Sequence, residues 1–280
     1  MNATLTRLLA LSRRTAIVAA MGLTCSTMLV QASPQPPATA QGGTAGTLQV
    51  GMAYVVPPFV DGAKVRTPEA IDTALAEALA GKLGLALQAV PARPAGKDIL
   101  LGKDKPRATL AVLPDTQSLP ASMVAVPTGY AAAPMAIMRT DTDIKSWEQL
   151  KGRTVCLSEG GRHVGTLSAR YGAQEMVFRA PADALLALRI GECDAAVHDD
   201  VMLKALLKLP EWKKFSARLT QAEAAPLVFL ASADDTALVG ALKQLAKEWK
   251  ARRHLAALTA SRVNDIAFEV YLDQVVADCH

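Results

Sequence analysis

Two stretches that begin 37 residues apart carry the side chains best suited to chemistry. One is Thr154-Val155-Cys156-Leu157-Ser158-Glu159-Gly160-Gly161. The other is Gly191-Glu192-Cys193-Asp194-Ala195-Ala196-Val197-His198-Asp199-Asp200. Each is a short apolar run leading into polar residues, as at a strand end in an open α/β sheet, where ligands bind. The Gly160-Gly161 step can turn backbone N–H groups toward an anion. A carboxylate at the end of the second stretch can hold a cation. The two ends together suit a small zwitterion.

The elements that must position these ends alternate in kind. Strands are expected over 48–53, 85–90, 107–113, 123–126, 134–138, 154–157, 194–198 and 226–231. Helices are expected from Thr67-Pro68-Glu69 to Leu83, over 162–171, 180–190, 200–207, 234–250 and 264–277. The alternation indicates an α/β protein. Apolar runs at 133–138 and 226–231 bracket about ninety residues that read as a complete sub-domain, so the two runs are expected to act as a hinge.

The chain has 280 residues, 51% of them apolar, enough for one large core or two smaller ones. Residues 1–32 carry Arg7, Arg13 and Arg14 and no acid. Setting those three aside leaves 27 of the 30 basic residues against 26 acidic ones. That balance gives no basic face for nucleic acid. Ser12-Arg13-Arg14, the apolar run to Val30 and the small residues at Val30-Gln31-Ala32 read as an export signal cleaved near Ala32. The adjacent arginines also resemble a twin-arginine signal. Residues 33–47, rich in Pro, Gly, Ala, Thr and Gln, read as a flexible tether. Export would leave Cys156, Cys193 and Cys279 in an oxidising compartment. A Cys156–Cys193 bridge would tie neighbouring strands, with Cys279 left over; three buried free thiols are the alternative.

The order of these parts resembles the periplasmic solute-binding proteins of amino-acid ABC importers, the family 3 type with two lobes and a Venus-flytrap hinge. The likeness spans about 48–262. Tyr54 to Phe59 looks like the family's loop after the first strand, where an aromatic lies over the ligand. Ala70-Ile71-Asp72-Thr73-Ala74-Leu75 stands where the family has Gly-Phe-Asp-Val-Asp-Leu. Trp147 to Val155 resembles its lead-in to the second lobe. Cys193 to Asp199 resembles its Asp-Ala-Val-Val-Thr-Asp, which implies that Asp199 accepts the ligand ammonium. The family's Thr-Pro-Glu-Arg, whose Arg grips the ligand carboxylate, has become Thr116-Gln117-Ser118-Leu119-Pro120-Ala121-Ser122. Its Phe-Ser-Pro-Tyr has become Val126-Pro127-Thr128-Gly129-Tyr130, and Arg162-His163 replaces its Ser/Thr pair. The carboxylate clamp has moved or been lost, and Arg162 is the residue placed to restore it.

The resemblance implies a two-lobed periplasmic-binding-protein-like α/β fold. Residues 48–136 are expected in lobe 1, 137–227 in lobe 2, and 228–280 in the return to lobe 1 and the C-terminal helices. The expected ligand set is Tyr54, Phe59, Asp72, Tyr130, Gly160, Gly161, Arg162, His163 and Asp199. Asp199 reads equally as the N-cap of the next helix, and Asp72 as a solvated or capping residue. Tyr54, Phe59 and Tyr130 are placed on loops, where binding residues concentrate. No catalytic motif is present, His163 and His198 are too separated for a metal site, and no cofactor is expected. The implied function is capture of a small polar solute, an amino acid or related organic anion, in the periplasm for an inner-membrane ABC permease. A dehydratase-like enzyme on the same scaffold and a ligand sensor for a membrane or redox partner are the alternatives.

Overall fold

The structure, a computed structural model, describes residues 46–92, 106–113, 119–221 and 223–274. The expected export signal, nearly all of the tether, Cys279 and residues 116–118 of the Thr116–Ser122 stretch lie outside the described residues.

Two five-stranded sheets form the frame. The first contains β1 (Thr47–Met52), β2 (Ala86–Pro91), β3 (Ala108–Val112), β4 (Met123–Ala132) and β10 (Ala225–Ser232), in the order β2-β1-β3-β10-β4. The second contains β5 (Pro134–Met138), β6 (Thr154–Ser158), β7 (Gln174–Phe178), β8 (Ala195–Asp199) and β9 (Ala217–Thr220), in the order β7-β6-β8-β5-β9. In each, three strands run parallel, as α/β crossovers require, and two more are added by antiparallel pairing, β10 and β4 in the first, β5 and β9 in the second. The chain passes from the first sheet to the second at Ala133 and has returned to the first by Ala225, where β10 begins. Two mixed sheets with flanking helices make this the two-lobed architecture.

Burial explains the helices. Helix α1 (Ile71–Leu83) packs Leu75, Ala76 and Leu79 against Leu48, Val50 and Met52 of β1. Helices α2 (Thr166–Tyr171), α3 (Pro181–Ile190) and α4 (Asp200–Leu206) belong to the second lobe. Helix α5 (Thr236–Arg252) returns to the first sheet, with Leu238, Leu242 and Trp249 in its core. Helix α6 (His254–Asp273) follows it only at its start, where Leu255 and Leu258 pack on the first lobe's core. Its Val263, Ile266, Ala267 and Val270 are buried with α3 and α4 in the second lobe's core. Burying each Val or Ile contributes about 1.5–3 kcal/mol, which is why α6 crosses.

Cys156 and Cys193 are bonded, with Cα atoms 5.8 Å apart. They join β6 to the turn that leads into its neighbour β8, as the strand positions imply. Among the described residues no helix is long and apolar enough to cross a membrane.

Three local expectations are corrected. The helix expected from Thr67-Pro68-Glu69 begins only at Ile71, because tertiary partners take the capping groups. The Thr67 N–H and hydroxyl both donate to Glu269 on α6, at 2.8 and 2.6 Å, and the Pro68 carbonyl accepts from Arg262. The helix expected from Arg162 begins at Thr166, so Arg162 and His163 lie in the preceding turn. Tyr130 is not on a loop but buried in β4, which runs on to Ala132. Strands β7 and β9 were not foreseen: Gln174–Phe178 exposes half its side chains, and β9 is only four residues long.

Candidate functional site

A cavity of about 480 Å³ lies between residues of the two sheets' ends. Ala53, Tyr54, Glu69, Ile71 and Asp72 line it from the first lobe, and Glu159, Gly160, Gly161, Arg162 and Val164 from the second. Tyr54 lies flat against Gly160. A Cβ built there would stand 2.3 Å from the Tyr54 ring, and Gly160 has φ +79°, so only glycine fits. The Gly161 N–H is committed to the Ser158 carbonyl at 2.9 Å, closing the turn rather than facing an anion.

Asp199 ends β8 and stands at the N-cap position of α4, yet its side chain makes no capping bond. Its carboxylate turns into the gap between the lobes. The Tyr130 hydroxyl donates to Oδ2 at 2.7 Å, His163 Nε2 lies 3.0 Å from Oδ1, and Arg162 Nη1 is 3.8 Å from Oδ2. Burial alone would raise the Asp199 pKa. The His163 bond and the Arg162 charge override it and hold the carboxyl well below the usual carboxylate range. Burial pushes the Tyr130 hydroxyl up, and the Asp199 charge adds to it, so the phenol stays protonated.

Arg162 reaches the first lobe. Its Nη2 donates to Asp72 Oδ1 at 3.1 Å, and its Cζ sits 5.0 Å from the Tyr130 ring centroid. Burial opposes its charge, but Asp199 and Asp72 overcome it. Asp72 itself is raised, because burial outweighs the pull of Arg162.

A second cross-lobe pair was missed by sequence reasoning. His198 Nε2 donates to Glu69 Oε2 at 2.5 Å, and the Ser158 hydroxyl donates to the same oxygen at 3.2 Å. Burial disfavours both charges. The shared bond and mutual attraction prevail, so Glu69 is lowered and His198 raised. Glu69 stands two residues before α1 and three before Asp72, and that spacing was the available signal. Farther out, Arg66 Nε donates to Asp183 on α3 at 2.8 Å, and Arg66 also pairs with Asp273 at the end of α6.

The structure therefore brings together Tyr54, Asp72, Tyr130, Gly160, Gly161, Arg162, His163 and Asp199, with Glu69, Glu159, Ser158 and His198 added. Phe59 stands apart. It is 60% exposed and lines an adjoining cavity of about 220 Å³ with Arg66 and Arg179. Among the described residues no group of three metal-ligating side chains is placed to hold a metal ion.

Known proteins meet this chain in three dimensions only. No family model matches it, and no curated protein does. AbpA, an amino-acid ABC transporter substrate-binding protein from Streptococcus pneumoniae solved bound to L-arginine, superposes with a TM-score of 0.50 at 16% identity, covering 79% of this chain and 96% of AbpA. The fold is that of the periplasmic binding proteins. A mutant of ArgBP from T. maritima is similar at TM-score 0.48 and 21% identity, covering 78% of this chain and 95% of its own. The GluR0 ligand-binding core in complex with L-glutamate gives 0.48 at 15% identity, with 79% and 100% covered. The fold expected from the sequence resemblance is thus the fold of the AbpA superposition.

Proposed function

We propose that the chain is an exported solute-binding protein that captures a small polar solute carrying positive charge, such as a basic amino acid or related amine, for an inner-membrane ABC permease. The observation that carries the reading is the charge of the cavity wall: Glu69, Asp72 and Glu159 line it with Arg162, and once Glu69 is paired with His198 and Asp72 with Arg162, Glu159 is left as a carboxylate with no ion-pair partner among the described residues. An organic anion, the other solute considered from the sequence, would add to that negative excess. Tyr54 over Gly160 supplies an aromatic face at the mouth, against which an ammonium or guanidinium is favourable. Closure around such a solute would strengthen each charge-assisted bond by excluding water.

A thermal-shift screen of the mature chain tests this. L-Arginine, L-lysine and putrescine are set against L-glutamate and citrate. A solute at a hundred times its Kd stabilises the folded state by about 2.7 kcal/mol, which in a chain of this size is about 5–10 °C in Tm. Stabilisation by the anions alone would end the proposal. A sensor role finds support in one feature, the several bonds that already join the lobes through Glu69, Asp72 and Asp199. Pull-down of a signalling partner rather than a permease would favour it.

A further inference from the structure

The side chain of Arg162 sits in a site with the chemistry of a cation receptor. Two carboxylates and an aromatic face surround its guanidinium: Asp72 at 3.1 Å, Asp199 at 3.8 Å and the Tyr130 ring at 5.0 Å. The Asp199 side chain is 5% exposed and that of Arg162 19%, so water screens the group little. Arg is suited to such a cage because its flat, delocalised cation stacks on a ring and donates in several directions at once. The cage is also divided between lobes. Asp72 on α1 and Tyr130 on β4 belong to the first, Arg162 and Asp199 to the second.

We propose that Arg162 is an internal ligand: it fills a guanidinium seat built from both lobes, holds the lobes together by doing so, and determines specificity by denying Asp199 to the ammonium of a simple amino acid. The solute is then confined to the adjoining cavity, where Glu159 forms no ion pair within the described residues. This rests on the cavity being the solute site, as proposed above. Neutral zwitterions such as alanine, whose one ammonium would have to displace a guanidinium already bonded to Asp72, should be rejected. A dication or a basic amino acid can use Glu159 and leave Arg162 in place.

Chemical rescue is the test. Arg162→Ala should leave a hole between Asp72, Asp199 and Tyr130 that millimolar methylguanidinium refills. Calorimetry should show methylguanidinium binding Arg162→Ala at least about tenfold more tightly than the unaltered protein, equivalent to about 1.4 kcal/mol. N-Methylurea, the neutral isostere, should bind neither. Small-angle scattering should show Arg162→Ala expanded and methylguanidinium restoring the smaller radius. Asp72→Asn, which keeps shape and removes one cage charge, should expand the protein in the same sense and is informative if Arg162→Ala fails to fold. Equal methylguanidinium binding by both proteins, or unchanged scattering for both variants, would overturn the inference. The two readings separate: rescue of Arg162→Ala with no solute bound by either protein sustains the internal ligand and rejects the solute cavity, while solute binding without rescue does the reverse.

Discussion

Gly160→Ala offers the sharpest probe of how the cavity is closed. Two costs follow from the geometry. An alanine held at φ +79° is in the left-handed region, where an L-residue costs about 1–2 kcal/mol. Its Cβ would also lie 2.3, 2.4 and 2.7 Å from three atoms of the Tyr54 ring, against an ordinary carbon–carbon separation of about 3.5–4.0 Å. The ring must retreat by more than an ångström, and overpacking of that kind costs about 1–3 kcal/mol. The sum, about 2–5 kcal/mol, corresponds to a fall in Tm of about 4–20 °C. A double-mutant cycle isolates the second part. With Tyr54→Ala in the background the ring is gone, and Gly160→Ala should then cost only the backbone term. Chemical denaturation of the four proteins supplies the numbers. If Gly160→Ala is as costly without Tyr54 as with it, the two residues do not pack, and the aromatic lid over the cavity is wrong.

Loss of the Cys156–Cys193 bond, by reduction or by the double serine variant, should cost about 4 kcal/mol in the chain-entropy view for a bridge spanning 37 residues, read as a lower denaturant midpoint. Asp199 and Glu69 are both held below their unfolded values, so their contributions are complete above about pH 4.5 and are lost as pH falls through the depressed values. Asp72, raised by burial, has the opposite sign: its ionisation costs stability as pH rises through its folded value. Acid titration of the unaltered protein followed by far-UV circular dichroism should therefore show a steeper loss below pH 4 than Asp199→Asn shows; parallel curves would remove Asp199 from the network. Ile266→Ala, at the buried face of α6, should cost about 2–5 kcal/mol and speed hydrogen exchange in α3 and α4, and an effect confined to the first lobe would contradict the packing of α6.

The strand and helix order was legible because apolar periodicity reports burial, and burial shapes most of these elements. Leu48, Val50 and Met52 recur at every second position with Gln49 and Gly51 between them, and Leu75 and Leu79 recur at helical spacing. What sequence could not show was competition for polar groups. Thr67 carries every local mark of a helix cap, but Glu269, 202 positions away, takes both its donors. Arg162 looks like a helix-start cation until Asp72, 90 positions away, draws it out of the helix. Asp199 was legible as important and ambiguous in role, since an N-cap position and a cleft position coincide at a strand end. Its partners, Tyr130 and His163, decide between them. Glu69 and His198 were invisible as a pair because nothing in either neighbourhood refers to the other.

The crossing of α6 bears on how this molecule can be instrumented. Its axis starts at Arg253, which has φ +51° and is the one non-glycine residue of positive φ among the described residues. α5 thus reports on one half, and α6 beyond its first turns, from Val263 onward, on the other. Donor and acceptor dyes on exposed positions of these two neighbours, such as Gln244 and Tyr271, would register any parting of the jaws from within a span of thirty residues of chain. A tag that pulled α6 away would strip apolar cover from α3 and α4 and turn a soluble reporter into a sticky one.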